Sequence, residues 1–466
     1  MGDRRPSTQS TSTIDSRDST SLQAISKVIG WTPPRLRDPE GSRVVTKAEA
    51  FCWILYGSSN AGAAMAYAAN SITFSSLILS LSTYWVLYLA SADYTTRFST
   101  DGVDHRLFFM AFSVAIFFVD LNWTGDILAN GDEKARRMHL TGIAICYLLN
   151  SVVFGRAAVW VTEGRNFAVF HTILNLSAAA LYLVAAHSSD WTCKALCWCA
   201  CALFFLRSYG LPNFQKIDKV TNRRNAKDYI SRSQSMMIAS LALLIKSISK
   251  SVGPGRLEGH MGSLLLMSLL LVFLVKTLMF DNHVEDTNWH AVRCVTTPWR
   301  PTIFLSCVPL AMAGVMMMAS GCNKILQMEL QTSDENADMQ HWAADNLMQG
   351  LALMLVFMAA MRALHKRPPV SDKGAMTIWK VQIVGQLLVA AVAHRMHYEN
   401  GVSALKRCVF LIFLLVLLNL ADEAEEMLHY RTRLAAKAVK LHGSNDVLEK
   451  AMEKPSPGNE IRNREV

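Results

Sequence analysis

Several ionisable side chains lie inside or just beside long apolar runs of this sequence. Three carboxylates are candidate catalytic acids, namely Asp120, Asp126 and Glu163. A carboxylic acid held away from water keeps its proton near neutral pH, and it can then protonate an alkene or an epoxide. We predict Asp120 as the first candidate for this acid, with Asp126 and Glu163 behind it.

Six further side chains are candidate substrate-binding groups: Asn122, Trp123, Arg156, Trp160, His171 and Asn175. The faces of the two tryptophans could stabilise a cation formed by protonation. Arg156 and Trp160 are spaced i, i+4, as are His171 and Asn175, so each pair shares one helical face. A tight link joins the two runs, which places Arg156 and His171 at similar depth on adjacent antiparallel helices.

These candidates cannot all serve one pocket. Asp120, Trp123 and Asp126 are predicted toward one face of the membrane, and Trp160 and Glu163 toward the other. Three interpretations therefore stay open. The first is an intramembrane cyclase or isomerase that closes rings in a prenylated, lipophilic substrate by protonation. The second is a transporter or channel-like protein for a small solute or ion. The third is a noncatalytic scaffold, in which the polar groups only hold helices together.

The elements that position these residues are membrane helices. The chain has 466 residues, 51% of them hydrophobic and only 18% charged, where a soluble domain has about 25%. A spanning helix needs about 20 apolar residues. We predict twelve spans: 51–70, 72–92, 107–124, 139–161, 167–187, 191–208, 235–252, 261–281, 302–321, 342–361, 377–394 and 404–421.

Two polar tails flank the predicted all-α membrane domain at 51–421. The tail at 1–50 is rich in Ser, Thr and Arg, and we expect it to be disordered and cytosolic. The tail at 422–466 is expected to be cytosolic and helical at its start. Lys and Arg concentrate in both tails and in alternate links, which predicts both termini on the cytosolic side.

The net charge of +9 needs no nucleic-acid partner, because basic links facing anionic lipid headgroups account for it. The expected partners are the lipid bilayer and a lipophilic small molecule. We expect no cofactor and no metal. Cys193, Cys197 and Cys201 share a helical face, but they spread over about 12 Å and cannot converge on one ion.

Four stretches of the sequence resemble the low-temperature-requirement A family, in its fungal branch. They are Lys47 to Phe51, Tyr94 to Leu107 with its Arg-Phe-Ser-Thr-Asp core, Gly155-Arg156-Ala157, and Arg232 to Val252. The similarity covers residues 47 to about 300, and the second half matches in its hydropathy pattern. The resemblance implies a polytopic membrane protein, and it implies no particular reaction.

The chain departs from this family at two acidic positions. The family's aspartate at the start of its first span falls at Trp53, and the glutamate of its Gly-Glu-Gly motif falls at Leu243. Asp120 and Asp126 stand instead in and after another apolar run. The loss of two family acids and the presence of two others favour a site whose function has changed. By analogy of class alone, we compare the chain with the polytopic fungal terpene cyclases of meroterpenoid pathways.

Overall fold

The structure is a computed structural model, and almost every residue that it describes is helical. It describes the following residues: 34–36, ten positions between 49 and 67, 72–99, 103–122, 133–215, four positions between 238 and 245, 260–280, 291, 299–329, 337–365, 373–397, 406–407 and 409–421. The helical residues described between Glu49 and Tyr67 are called the N-terminal helical segment below.

Ten long helices follow one another within these described ranges. They are α1 Phe74–Arg97, α2 Val103–Leu121, α3 Glu133–Trp160, α4 Arg165–Ala186, α5 Asp190–Gln215, α6 His260–Phe280, α7 Trp299–Glu329, α8 Ala337–Leu364, α9 Lys373–His397 and α10 Val409–Ala421. Two short antiparallel strands, β1 Arg35–Leu36 and β2 Phe98–Ser99, pair at the end of α1. β1 lies within the predicted N-terminal tail.

Helix α1 lies at the centre of the bundle. Thr73 caps its first turn by accepting a hydrogen bond from the backbone N–H of Ser76 at 3.3 Å. The helix packs against α3, α5 and α7, and nearly all of its side chains are buried. Trp85 donates a hydrogen bond to the carbonyl of Leu305 on α7 at 2.8 Å. The buried Ser, Thr and Tyr side chains of α1 therefore face other helices rather than lipid.

Helices α7 and α8 cross at very short range. A Cβ atom on Gly314 would lie 2.6 Å from the carbonyl oxygen of Gly350, and one on Gly350 would lie 2.6 Å from that of Gly314. A Cβ atom on Gly321 would meet the carbonyl of Ala343 at the same distance. Small residues of this kind let membrane helices approach backbone to backbone.

Polar side chains also join the later helices. Thr277 of α6 donates a hydrogen bond to the Asn419 side chain of α10. Gln382 of α9 donates to the carbonyl of Ala421 at 3.3 Å. Hydrogen bonds of this kind fix neighbouring membrane helices against one another.

The predicted spans and the observed helices agree closely. Ten of the twelve predicted spans coincide in chain order with α1 to α10. Only scattered helical residues are described within 51–70 and 235–252. Six of the described helices are long and apolar enough to cross a membrane. The chain is therefore a multi-pass helical membrane protein, while the number twelve and the side of the termini stay predictions.

Candidate functional site

The end of α1 carries a buried ion pair. The Arg97 guanidinium donates to the Asp93 carboxylate at 2.6 Å, one helical turn away, and both side chains are almost inaccessible. A cation in the last turn suits the helix dipole. The same guanidinium lies 4.2 Å from the ring centre of Phe167 on α4, which adds a cation–π contact. The chain then turns extended at Phe98 and returns through β2 into α2.

The start of α2 supplies two further pairs at the same end of the bundle. Asp104 accepts a hydrogen bond from Arg156 of α3. The Nε2 atom of His105 lies 3.0 Å from the Glu49 carboxylate of the N-terminal helical segment, with both side chains buried. Each buried charge of these groups has an opposite charge or a histidine beside it, as burial in a membrane protein requires.

Aromatic rings fill the space between these pairs. Tyr94 lies 6.5 Å from the His105 ring and 5.4 Å from Phe154, as measured between ring centres. Phe154 stacks on His171 at 4.7 Å, and Phe167 lies 4.1 Å from the same imidazole. We call the following set the Arg97 cluster: Glu49, Asp93, Tyr94, Arg97, Asp104, His105, Phe154, Arg156, Phe167 and His171.

Asp120 lies at the other end of α2, in a half-buried polar setting. The Ser59 side chain lies near its carboxylate and near Tyr84 of α1, and the Ser59 hydroxyl donates to the carbonyl of Leu55 at 3.1 Å. His139 of α3 packs edge-on against Tyr84 with ring centres 6.2 Å apart, and its Nδ1–H donates to the Val119 carbonyl at 2.9 Å. Among the residues that the structure describes, no base forms an ion pair with Asp120.

The two nearest arginines of α3 are engaged elsewhere. Arg136 pairs with Asp190 at the start of α5, and Arg137 pairs with Glu133 on its own helix. Neither arginine therefore pairs with Asp120 in the described contacts.

Polar contacts also occur between the Arg97 cluster and Asp120. The Cys52 thiol lies 2.8 Å from the Ser113 hydroxyl of α2. One turn further along, the Tyr56 hydroxyl lies 3.4 Å from that of Ser91 on α1. Ser91 also donates to the Asn150 side chain of α3 at 3.3 Å.

These groups line up because Glu49, Cys52, Tyr56 and Ser59 recur every three or four residues and so share one helical face. That face lies against α1 and α2. We call the following nine residues the polar file: Glu49, Cys52, Tyr56, Ser59, Tyr84, Ser91, His105, Ser113 and Asp120. Eight of the nine side chains are buried, and Asp120 is half-buried.

The structure separates the predicted site residues into two groups. Arg156 and His171 belong to the Arg97 cluster, as their predicted common depth implies, and Asn175 is buried one turn beyond His171, donating to its carbonyl at 2.7 Å. Trp160 and Glu163 are exposed near the same end, on the outside of the bundle.

The second group belongs to the Asp120 end. Asn122 donates to the carbonyl of Phe118 at 2.7 Å, within its own helix. Trp123 and Asp126 lie outside the described residues. The described candidates thus lie toward the two ends of the bundle, and whether all of them share one pocket stays a prediction.

Several residues of the site were not singled out from the sequence for chemistry. Glu49, Arg97 and His105 stood out only as parts of the family-like stretches, while Asp93 directly precedes one of these stretches and Asp104 lies within it. The sequence indicated these residues only by their position, because each lies near the end of a predicted span on the same side of the membrane. No group of three or more His, Cys, Asp or Glu side chains that could hold a metal occurs among the described residues.

A comparison with family models relates the whole bundle to known sequences. The model described as bacterial low temperature requirement A protein (LtrA) matches residues 59–424. The chain belongs to the LtrA family. The match runs through the second half of this LtrA chain, where the sequence resemblance had rested on hydropathy alone. Searches of curated proteins and of solved structures gave no match.

Proposed function

We propose that this LtrA-family protein transports a small ion or solute across the membrane along the polar file. The observation that carries the proposal is the succession of polar contacts along the file. Polar side chains of three helical elements make contacts at successive levels, from Glu49 and His105 at one end to Tyr56 and Ser91. The half-buried Asp120 lies near Ser59 at the other end.

Some hydroxyl groups of the file form hydrogen bonds to other helices in addition to those within their own helix. This supports a path for an ion or solute rather than a purely structural role. Ser80 and Thr96 of α1 donate to carbonyls of their own helix, which satisfies a hydroxyl without any partner helix. Ser91 and Ser113 make such bonds too, but they also contact polar groups of neighbouring helices. Polar groups placed across helices at membrane depth are typical of solute and ion pathways.

The length of the file also fits transport. His105 and Asp120 are separated by fifteen residues of one helix, which is about 22 Å of a hydrocarbon core about 30 Å thick. Beyond Asp120, the buried hydroxyls of Ser80 and Ser76 continue along α1 toward its first turn. Polar side chains thus accompany α1 over most of its length.

A flux assay on purified protein in lipid vesicles tests the proposal. A potential set with potassium and valinomycin decays when any ion crosses, and light scattering after an osmotic step reports neutral solutes. We expect flux above that of protein-free vesicles. Ser91→Ala should lower it, because it removes the contacts with Tyr56 and Asn150 at little change in volume.

Ser151→Ala is the matched control, since the Ser151 hydroxyl bonds only to the Leu148 carbonyl of its own helix among the contacts described. It should leave the flux unchanged. Absence of any flux from well-folded, monodisperse protein would contradict the transport proposal.

A second candidate function is the intramembrane cyclase, and one observation favours it. Asp120 forms no ion pair with a base among the described residues, and the aromatic side chain of Tyr84 is near enough to interact with it electrostatically. An acid in such a setting could protonate a prenylated substrate, and an aromatic face could stabilise the resulting cation. The bundle would then admit the substrate from the lipid.

Microsomes that contain the protein test this second function. They are given prenylated phenols with and without a terminal epoxide, and mass spectrometry looks for products of unchanged mass. Asp120→Asn and empty-vector membranes are the controls. A product lost in Asp120→Asn supports the cyclase, whereas no product from well-expressed protein counts against it.

A further inference from the structure

We infer that the species that moves along the polar file is the proton, with Asp120 and the Glu49–His105 pair as its two terminal binding sites. This inference rests on the proposed transport function and names its substrate. It follows from three features of the file: its width, the chemistry of its middle, and the chemistry of its ends.

The width of the file excludes larger species from its middle. The Cys52 and Ser113 side chains are 2.8 Å apart, and the Tyr56 and Ser91 hydroxyls are 3.4 Å apart. These are hydrogen-bond distances, which leave no space for a hydrated metal ion between the partners. A proton needs no such space, because it moves by exchange along hydrogen bonds.

The groups in the middle can each accept one proton and donate another. Ser and Tyr hydroxyls are both donors and acceptors, and a thiol is a weaker example of the same kind. Successive members of the N-terminal helical segment are three or four residues apart, which is about 4.5–6 Å of helix rise. One ordered water molecule bridges a gap of that size between two hydroxyls.

The ends of the file are the groups that can store a proton. Asp120 is a half-buried carboxylate near the side chains of Ser59 and Tyr84. At the other end, a carboxylate and an imidazole share one short contact of 3.0 Å. Such a pair can hold an added proton between its oxygen and nitrogen atoms.

The proton balance of one passage is simple. Asp120 takes up one proton from its own side of the membrane and becomes a neutral acid. It then gives this proton to a hydroxyl oxygen, each relay group releases its own proton to the next, and the last proton binds at the Glu49–His105 pair. That pair releases one proton at its side, and one positive charge has crossed.

Other charged and titratable groups lie beside these ends, and the four charged residues among them form two ion pairs. Beside His105 lie Tyr94 of α1 and Asp104 of α2, the latter held by Arg156 of α3. The Arg97–Asp93 pair lies in the last turn of α1. Tyr84 of α1 and His139 of α3 accompany Asp120. Because Asp104 and Asp93 already pair with arginines, the Glu49–His105 contact is the proton-storing site at this end of the file.

Vesicles loaded with a pH-sensitive dye provide the test. A potassium gradient with valinomycin drives positive charge inward, and the internal pH reports proton entry. We expect the wild-type vesicles to acidify faster than protein-free ones, and more slowly in D₂O. Asp120→Asn and the double variant Glu49→Gln/His105→Gln should fall to the protein-free rate. Tyr56→Phe should slow the flux several-fold.

Three variants outside the file serve as matched controls. Tyr147→Phe removes a buried hydroxyl of α3, Glu133→Gln removes an exposed carboxylate, and His394→Gln removes an exposed imidazole. All three should conduct like the wild type. Asp120→Glu should restore part of the flux, which separates loss of the acid from failure to fold.

The possible results distinguish the proton inference from the transport proposal. Flux of another ion or of a solute without any change in internal pH overturns the proton inference and leaves the transport function standing. No flux of any kind from folded protein overturns both. Proton flux that persists in Asp120→Asn and in the Glu49–His105 double variant overturns the assignment of the path.

Discussion

At the scale of single residues, the ion pairs of this protein differ mainly in how far water reaches them. The Asp104 side chain is 6% exposed and its partner Arg156 is 15% exposed, while Arg137 and Glu133 are 48% and 63% exposed. Water screens the second pair and not the first. The two pairs therefore have different roles, although both join an arginine of α3 to a carboxylate.

Replacement of Arg156 tests this difference. Arg156→Ala leaves the Asp104 carboxylate buried without its partner, so we expect a loss of about 3–5 kcal/mol of stability. Arg137→Ala should lose less than about 1 kcal/mol. Heating in detergent followed by size-exclusion chromatography measures both. The apolar pair Arg156→Met/Asp104→Leu should regain most of the loss, and equal melting of Arg156→Ala and Arg137→Ala would contradict the argument.

At the scale of helices, backbone proximity holds α7 against α8. Gly314 and Gly350 face each other, and Gly321 repeats the contact two turns along. Where two backbones touch, no side chain can move aside to make room. Gly155 of α3 is different, because the nearest atoms to a Cβ there belong to the Thr172 side chain at 3.8 Å.

A pair of glycine-to-alanine substitutions tests this contact. Gly350→Ala would place a methyl group 2.6 Å from two backbone atoms of α7, so the helices must separate and the melting temperature should fall. Gly155→Ala should leave it unchanged or raise it, since alanine is favoured over glycine in a helix by about 1 kcal/mol. Equal effects of the two substitutions would show that the crossing tolerates a wider spacing.

At the scale of the whole molecule, apolar runs predicted where helices form, but not which helices meet. Ten predicted spans coincide with observed helices because length and hydropathy are properties of each segment alone. The contact of Glu49 with His105 joins residues 56 positions apart, and it depends on how the N-terminal helical segment lies against α2. Asp120 was found from the sequence as an acid in an apolar run, whereas its neighbours Ser59 and Tyr84 are ordinary residues of other helices.

The orientation of the whole bundle is the last prediction. The distribution of Lys and Arg predicts that the Arg97 cluster lies on the cytosolic side. Glu163 and His187 are exposed at opposite ends of α4, whose 22 residues extend over about 33 Å. In intact cells, a maleimide that does not cross membranes should label a His187→Cys variant and leave Glu163→Cys unlabelled.

Permeabilised cells should label both variants, and the unsubstituted chain measures background from native cysteines such as the exposed Cys199. The reverse pattern would place Asp120 toward the cytosol and the Glu49–His105 pair toward the outside. The polar file would then take up cytosolic protons at Asp120, whereas in the predicted orientation it releases protons to the cytosol at the Glu49–His105 pair. The same labelling experiment therefore fixes the sense in which a membrane potential drives protons along the file.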